Sequence, residues 1–259
     1  MAWTLTHIWI YPIKSLPGLS VSQSEILPTG NLRHDREFAF FDAEGQYVNA
    51  KRTAKIHRIR ASWDLPAWSV TLTSQESNSD TFHLNHDRQR LAAWVGNILE
   101  IPVRIEQRAD GGFPDDEEAS GPTVVATSTL KSVAAWFPGL TVEEIRCRFR
   151  ANLELDGGES FREDQLFKAA GETVEFRIGD ARLSGTNPCQ RCVVPSRASQ
   201  SGEIWPFFQK TFAEQRMATL PDWTDRSRFD HFYRLAVNTR VAAEQVQVIR
   251  IGDRVAVIG

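Results

Sequence analysis

Short runs of apolar or alternating residues, separated by turn residues, dominate roughly the first hundred residues of the chain. Runs of this kind, bounded by Pro, Gly, Asn or Asp, are typical of β-strands. Ala43, Glu44 and Gly45 separate two of the runs and indicate a β-hairpin. The strands predicted in this part of the chain are 5–11, 21–27, 37–42, 46–50, 56–63, 68–73, 81–84 and 103–107.

Three segments instead carry apolar residues at helical spacing. Asp87 is a candidate N-cap for the first helix, whose apolar positions end at Leu99. The second helix is predicted over 128–137, where a Pro-Gly pair follows and ends it, and the third over 207–216.

The second half of the chain returns to strand patterns. Strict alternation over 145–155 predicts a strand with Arg146, Arg148 and Arg150 on one face, continued by Asn152. A Gly-Asp pair at 179–180 indicates a hairpin, and a second Gly-Asp pair at 252–253 joins the last two strands. The strands predicted here are 124–126, 145–155, 173–178, 182–184, 233–238, 246–251 and 254–258.

Residues 109–122 interrupt these patterns because they are acidic and rich in glycine and proline. This composition favours a mobile surface linker. The alternative is a loop that closes over a site, in which case the residues near Ser120 matter most. The predicted organisation is a β-barrel-like domain at 1–108, the linker, and a second β domain at 123–259. The predicted fold class is mostly β, barrel-like or sandwich-like, with a few peripheral helices.

Composition excludes some functions and sets the expected compartment. The net charge of −3 gives no general affinity for nucleic acid, and no apolar run approaches the length of a membrane span. The first residues lack the basic and apolar regions of a signal peptide. Three cysteines do not make a disulfide framework. We therefore expect a cytoplasmic protein that binds neither nucleic acid nor membrane.

The most reactive chemistry lies in the C-x-x-C segment formed by Cys189, Gln190, Arg191 and Cys192. A guanidinium beside a thiol favours the thiolate, which is a nucleophile and a soft metal ligand. Spacing alone leaves four interpretations: part of a zinc site, a thioredoxin-like couple, two ordinary buried thiols, or a single ligand of a soft metal. Zinc would need further ligands at suitable spacing, and a thioredoxin-like couple would need a βαβ context that this sequence does not show.

Basic and hydroxyl side chains elsewhere suggest an anion site only in combination. If the predicted strand 145–155 lies beside the C-x-x-C segment, its arginines would surround an anion, since guanidinium groups bind phosphate with paired hydrogen bonds. Lys14 and Ser15, in a proline-bounded turn, and Arg36, before a strand, indicate ordinary surface groups when taken alone. The histidines have no metal-binding spacing, and no phosphate loop or nucleophile elbow is present.

In this order, the motifs resemble the MOSC family, named after the C-terminal domain of molybdenum cofactor sulfurase. The closer match is the branch of the mitochondrial amidoxime-reducing component and its bacterial relatives. The resemblance covers nearly the whole chain and implies a MOSC N-terminal β-barrel domain followed by a MOSC-type β-barrel. It is carried by Ile10-Tyr11-Pro12-Ile13-Lys14-Ser15, Gly30-Asn31-Leu32-Arg33-His34-Asp35-Arg36, Phe149-Arg150-Ala151-Asn152-Leu153, Phe161-Arg162-Glu163-Asp164, Ile178-Gly179-Asp180, Cys189-Gln190-Arg191-Cys192, Leu235-Ala236-Val237-Asn238 and Ile251-Gly252-Asp253.

The resemblance implies a molybdenum cofactor (Mo-molybdopterin) whose metal is ligated by Cys192, with Gln190 and Arg191 adding contacts around it. The residues implied to hold the pterin and its phosphate are Lys14, Ser15, Arg36, Arg150 and Asn152. Ser120 joins them as a cofactor-binding candidate if the segment 109–122 closes over the site. The implied reaction removes oxygen from small N-hydroxylated substrates, such as amidoximes and hydroxylamines. Three cysteines cannot supply an iron–sulfur centre, so we expect an external electron-donor protein. Residues 193–199 depart from the family's Thr-x-Asp run after the second cysteine.

The predicted function is therefore that of a molybdenum-cofactor oxidoreductase. One alternative is a carrier that binds the cofactor without catalysing a reaction. Another is a sulfur-transfer protein that carries a persulfide on Cys192. A third is a β-barrel interaction module with a degenerate site, which the presence of all the anchor residues disfavours.

Overall fold

The computed structural model describes residues 3–74, 77–241 and 245–258, so the extreme ends of the two predicted domains lie outside it. Its strands are β1 Trp3–Ile10, β2 Leu19–Val21, β3 Gln23–Ile26, β4 Phe38–Phe41, β5 Tyr47–Val48, β6 Arg60–Asp64, β7 Ser69–Ser74, β8 Ser77–His83, β9 Arg104–Gln107, β10 Val124–Ala126, β11 Leu153–Asp156, β12 Val174–Ile178, β13 Ala181–Gln190, β14 Arg234–Arg240, β15 Gln247–Arg250 and β16 Arg254–Val257. Its α-helices are α1 Arg88–Leu99, α2 Thr127–Ala135, α3 Val142–Phe149 and α4 Phe208–Ala218. Strands dominate the described residues, which confirms the mostly β fold with peripheral helices.

A closed barrel of strands forms the centre of the molecule. Its order is β11-β10-β14-β13-β12-β16-β1, and β1 pairs again with β11 to close the ring. Thus β1, at the start of the chain, completes a barrel whose other strands all follow residue 122. Leu5, Leu153, Phe176 and Val237 fill the interior and are fully buried. The interior is therefore a packed core rather than a ligand cavity.

Two small sheets and one helix form most of the remaining N-terminal part. One sheet has the order β5-β4-β9 and the other β6-β7-β8, while β3 pairs with β15. Phe38, Phe82, Leu72 and Val95 make a second buried core, to which α1 contributes its apolar face. A one-sided apolar helix is stabilised mainly by such packing.

Several local predictions are confirmed. The helices predicted after Asp87, over 128–137 and over 207–216 correspond to α1, α2 and α4. The predicted hairpins are present as β4–β5 and β12–β13, both antiparallel.

The strand predicted over 145–155 is wrong. Residues of this segment form α3, which continues to Phe149, and β11 begins only at Leu153. Thr141 caps the helix by accepting a hydrogen bond of 3.1 Å from the backbone N–H of Glu144. A threonine followed three residues later by a glutamate marks a helix start, and this local signal outweighs the apparent alternation. The arginines are therefore not a stripe along one strand.

One further strand prediction differs in detail, because residues 56–63 divide into a 3₁₀ helix, Ala54–Arg58, and β6. The last two predicted strands are present as β15 and β16, on either side of Gly252 and Asp253. β15 pairs with β3, whereas β16 pairs with β12 and β1.

The cap on α3 gives a test of the corrected segment. We expect Thr141→Ala to lower the free energy of unfolding by about 1 kcal/mol, because the N–H of Glu144 loses its partner. Thr141→Ser should retain most of the stability, since serine keeps the accepting hydroxyl. Urea unfolding followed by circular dichroism measures both. Equal stability of Thr141→Ala and Thr141→Ser would contradict the capped helix.

Candidate functional site

A cavity of about 860 Å³ lies outside the barrel core and is lined by residues from both halves of the chain. Every residue assigned to the site from the sequence lines it. These residues are Lys14, Ser15, Arg36, Ser120, Arg150, Asn152, Gln190, Arg191 and Cys192. Residues that are far apart in the sequence, from Lys14 to Cys192, therefore line the same cavity.

Arg191 fixes the geometry of the C-x-x-C segment. Its Nε donates to the carbonyl of Leu235 and its Nη1 to the carbonyl of Phe149, both at 3.0 Å. Among the described residues, its buried Nη2 has no hydrogen-bond partner. The guanidinium thus braces β14 against the end of α3 and keeps one unsatisfied donor, which is costly unless a ligand accepts from it.

The two cysteines of the segment occupy different positions. Cys189 lies near the end of β13, whereas Cys192 follows the strand, and both are half-buried free thiols. Burial raises the pKa of the Cys189 thiol, although the Arg191 charge opposes the shift. The surroundings of Cys189 therefore disfavour its thiolate, the form that binds a metal.

Two of the candidate arginines share one aromatic ring. The guanidinium carbon of Arg150 lies 4.1 Å from the centre of the Tyr11 ring, and that of Arg36 lies 5.2 Å from it. Arg36 also contacts Asp35. Ser15, Arg36 and Arg150 all have left-handed backbone conformations, with φ of 74°, 52° and 53°. Such conformations cost non-glycine residues energy and cluster at functional sites.

Lys14 is buried, and its ammonium group is already bound by other residues of the chain. Its ammonium donates to the carbonyls of Phe113, at 2.8 Å, and Pro114, and lies 2.9 Å from a carboxylate oxygen of Asp115. Lys51 is 3.5 Å from the same oxygen. Although burial opposes it, the charge of Lys14 holds the pKa of Asp115 well below its usual value.

The acidic segment 109–122 is consequently attached to both halves of the chain, which supports the closing loop rather than the mobile linker. Asp116 accepts a hydrogen bond from Asn238, and the N–H of Gly121 donates to the carbonyl of Thr239. Ser120 donates through its hydroxyl to the carbonyl of Thr29 at 2.6 Å. The sequence showed the charge of this segment but not that basic residues in the cavity would attract it.

Asn152 is a structural member of the site. Its amide Nδ2 donates to the carbonyl of Trp9 at 3.0 Å, and its Oδ1 accepts from both the N–H and the hydroxyl of Thr123. With 2 % of its surface exposed, it ties β1 to the strands beside it.

Arg146 and Arg148 line the cavity but are already neutralised. Arg146 pairs with Glu154 and Glu143, and Arg148 pairs with Glu144 at 2.7 Å. Of the three arginines predicted to form one positive stripe, Arg150 alone makes no carboxylate ion pair within the described part of the chain.

His57, Arg60 and Arg197 also line the cavity, and the first two belong to no motif that could have selected them. We call these three residues the basic face. Arg60 donates to the carbonyls of Ser199 and Gln200, which fastens β6 to the segment after Cys192. Arg197 could have been noticed because it falls in the run that departs from the family pattern.

Comparison with known families identifies both halves of the chain. A model of the MOSC N-terminal beta barrel domain matches residues 2–101, and a model of the MOSC domain matches residues 123–256. The chain belongs to the MOSC family. This family is associated with binding or handling of the molybdenum cofactor.

Two relatives illustrate this membership. The chain is 26 % identical to the molybdenum cofactor sulfurase of Drosophila mojavensis over 98 % of its own length, but it spans 34 % of that protein. It is 24 % identical to human mitochondrial amidoxime-reducing component 1, over 77 % of this chain and 67 % of the human protein.

Among solved structures, the YUAD protein from Bacillus subtilis matches 98 % of this MOSC chain with 12 % identity and a TM-score of 0.43; 94 % of that structure is covered.

Within the described residues, no helix is long and apolar enough to cross a membrane. The same residues contain no cluster of three or more His, Cys, Asp or Glu side chains suited to a metal ion.

The environment of His57 predicts a pH dependence of stability. Burial, together with the charges of Arg150, Arg197 and Arg60, lowers the pKa of His57 to about 4. The unfolded chain, with an ordinary histidine pKa of about 6.5, then binds more protons between these values. Stability is therefore fully present above about pH 6.5 and decreases as the pH falls toward 4.

We expect His57 to lower the free energy of unfolding by about 2 kcal/mol as the pH falls from 7 to 5. His57→Gln should remove that part of the pH dependence while leaving the contribution of every other group. Urea unfolding of both proteins at the two pH values gives the difference. A parallel loss of stability in both proteins would contradict the low pKa of His57.

Proposed function

We propose that this MOSC protein is a molybdenum-cofactor oxidoreductase that removes oxygen from N-hydroxylated compounds. The observation that carries the proposal is the convergence of Cys192 with Lys14, Arg36 and Arg150 on one cavity. A thiol beside several cations suits a ligand that combines a soft metal with an anionic phosphate. The likeness to amidoxime-reducing components supports a reductase, whereas the likeness to molybdenum cofactor sulfurases supports the sulfur-transfer alternative.

The residues present fit this cofactor. Arg150 has its guanidinium stacked on Tyr11 without a carboxylate partner among the described residues, and Arg191 retains an unsatisfied buried donor. Lys14, Ser15 and Arg36 would bind the phosphate, Ser120 and Asn152 would border the pterin, and Cys192 would ligate the metal. Gln190, which is exposed, would lie at the rim of the metal site. When bound, the cofactor supplies a metal that exchanges two electrons and accepts an oxygen atom.

Phosphate binding would require Lys14 to exchange partners. In the structure its charge is balanced by Asp115, so an entering phosphate would compete with that carboxylate. The carbonyls of Phe113 and Pro114 can remain bound to the ammonium during this exchange, since an ammonium has three donors. The acidic segment would therefore adjust to the cofactor without losing all its attachments.

The proposed overall reaction is an amidoxime plus two electrons and two protons, giving an amidine and water. The N–O bond breaks, the substrate is reduced, and the electrons come from a separate donor protein that is oxidised. The chain contributes binding and orientation, since Arg191 holds the C-x-x-C segment in place through the carbonyls of Leu235 and Phe149.

The two cysteines of one motif provide a matched pair of variants. We expect Cys192→Ala, made in a host that synthesises the cofactor, to lose its molybdenum and its amidoxime reductase activity. Cys189→Ala should retain molybdenum and lose only part of its activity, because the surroundings of Cys189 disfavour the thiolate that a metal would need. Elemental analysis and a dye-driven reductase assay measure both quantities. Full activity of Cys192→Ala would overturn the assignment.

A second prediction concerns the electron source. The purified protein loaded with molybdenum should not oxidise NADH in the presence of an amidoxime, because the chain has no dinucleotide-binding motif. An artificial reduced dye should drive turnover instead. NADH-driven turnover without a partner would contradict the two-protein scheme. Failure of the dye with loaded protein would favour a cofactor carrier, and a persulfide on Cys192 found by mass spectrometry would favour sulfur transfer.

A further inference from the structure

The basic face is built by two segments that pack closely together. Gly202 belongs to the segment after Cys192, and a side chain there would place its Cβ 2.4 Å from the carbonyl oxygen of Ala54. Its φ of +76° also favours glycine. Across this contact, Arg60 donates to the carbonyls of Ser199 and Gln200. The backbone on both sides is thus fixed before any ligand arrives.

Polar atoms of the basic face are left without partners. Within the described residues, the buried Nε2 of His57 and the buried Nε of Arg197 make no hydrogen bond. Arg197 has only a long contact, of 3.5 Å, from Nη1 to the carbonyl of Gly202. The Nε of Arg197 is always a donor, and an unsatisfied buried donor favours a site that a ligand completes.

The positive charge of the basic face is also unbalanced. Arg60 and Arg197 contact no carboxylate in the described ranges of the chain, and the segment from residue 193 to residue 202 contains no acid. Glu144 acts on the charge of Arg60, but its carboxylate is bound by Arg148 and by the N–H and hydroxyl of Ser199. The contrast with Lys14, which has Asp115 beside it, is clear.

We propose that the basic face binds an oxyanion carried by the substrate, either a carboxylate or a phosphate monoester, with Arg197 as its main contact. This inference rests on the proposed function, because the N–OH group of the same molecule is what the enzyme would reduce. Arg197 lines the cavity with its Nε unpaired, and a guanidinium group suits the paired hydrogen bonds that carboxylate and phosphate accept. Arg60, whose donors hold backbone carbonyls, contributes charge and positions the segment that carries Arg197.

The substrate class is therefore an N-hydroxylated compound with an anionic group at a fixed distance from the N–OH. Small neutral amidoximes would enter the same cavity but would leave the donors of Arg197 unpaired. A site with such donors discriminates strongly against a ligand that cannot accept from them. Specificity would thus come from the part of the cavity formed by the basic face rather than from the cysteine segment.

The test compares three probes on the molybdenum-loaded protein: benzamidoxime with a para-carboxylate, with a para-phosphate, and with a para-carboxamide as the neutral analogue. Calorimetry on the oxidised protein, where no turnover occurs, measures the dissociation constants, and the dye-driven assay measures kcat/KM. We expect the better anion to bind about tenfold more tightly than the carboxamide, the value of one charge-assisted hydrogen bond. The ranking of carboxylate and phosphate identifies the group.

Arg197→Gln should bring the anion-to-carboxamide ratio close to one, and Arg197→Lys should restore part of it. Lys210→Gln, which removes an exposed charge on α4, is the control and should leave the ratio unchanged. Equal binding of all three probes to the unmodified protein would overturn the basic face as a substrate site, even if the carboxamide is reduced. Loss of molybdenum in Arg197→Gln would also overturn it, by assigning the charge to the cofactor. Reduction of none of the probes by loaded protein would instead defeat the proposed function, and the substrate assignment with it.

Discussion

The arrangement of charge in the cavity depends on one aromatic ring shared by two guanidinium groups. Tyr11 is 4 % exposed, and Arg36 and Arg150 both lie over its ring. Its N–H donates to Asp35 at 2.8 Å and its hydroxyl to the carbonyl of Ala151 at 3.3 Å. Two like charges repel, but each is attracted to the electron-rich face of the ring, by about 1 kcal/mol or more where water is excluded. Tyr11 and the Asp35 carboxylate, which pairs with Arg36, therefore together hold the two cations close to each other.

The position of Tyr11 is set by the barrel. It directly follows β1, whose pairing with β11 and β16 closes the ring of strands. Asn152 joins the two sides again, through the carbonyl of Trp9. A slip of β1 by one residue would turn every side chain of the strand to the opposite face, so the buried pattern of β1 holds Tyr11 and Lys14 in place. Closure of the barrel by β1 therefore also sets the positions of Tyr11 and Lys14 in the site.

The sequence predicted those parts of the fold that local rules determine. Hairpins at short Gly-containing turns and helices with a one-sided apolar pattern were predicted correctly, because turn geometry and helical spacing are local properties. The segment at 145–155 failed because a short helix with alternating charges can imitate a strand, and only the Thr141 cap distinguishes them. The partners of β1 and β15 could not be predicted, since strand pairing across the chain leaves no local signal.

The candidate site divides in the same way. The short motifs that resemble the MOSC family identified residues that line one cavity in the fold. The spacing of these residues along the sequence could not have shown that they lie together. Arg148 illustrates the limit, because its neutralisation by Glu144 follows from a helix that the alternation concealed. His57 and Arg60 belong to no motif, and their place beside Arg197 depends on the close packing of Gly202 against Ala54. Such contacts are consequences of tertiary structure and are invisible in a single sequence.

Some positive charges in the cavity are paired with a carboxylate of the chain and others are not, and this difference affects how strongly an anion would bind. At Lys14 the chain supplies its own counter-ion, Asp115, so an anion binding there gains only the difference between two ion pairs. At Arg197 the chain supplies none among the described residues, so an anion gains the whole interaction and also satisfies buried donors. Binding at the first position would be moderated by the acidic segment, whereas binding at the second would depend on the ligand alone. The cofactor stays bound through many turnovers, whereas the substrate must bind and leave at each one. One cavity can serve both ligands because Lys14 has a counter-ion from the chain and Arg197 has none among the described residues.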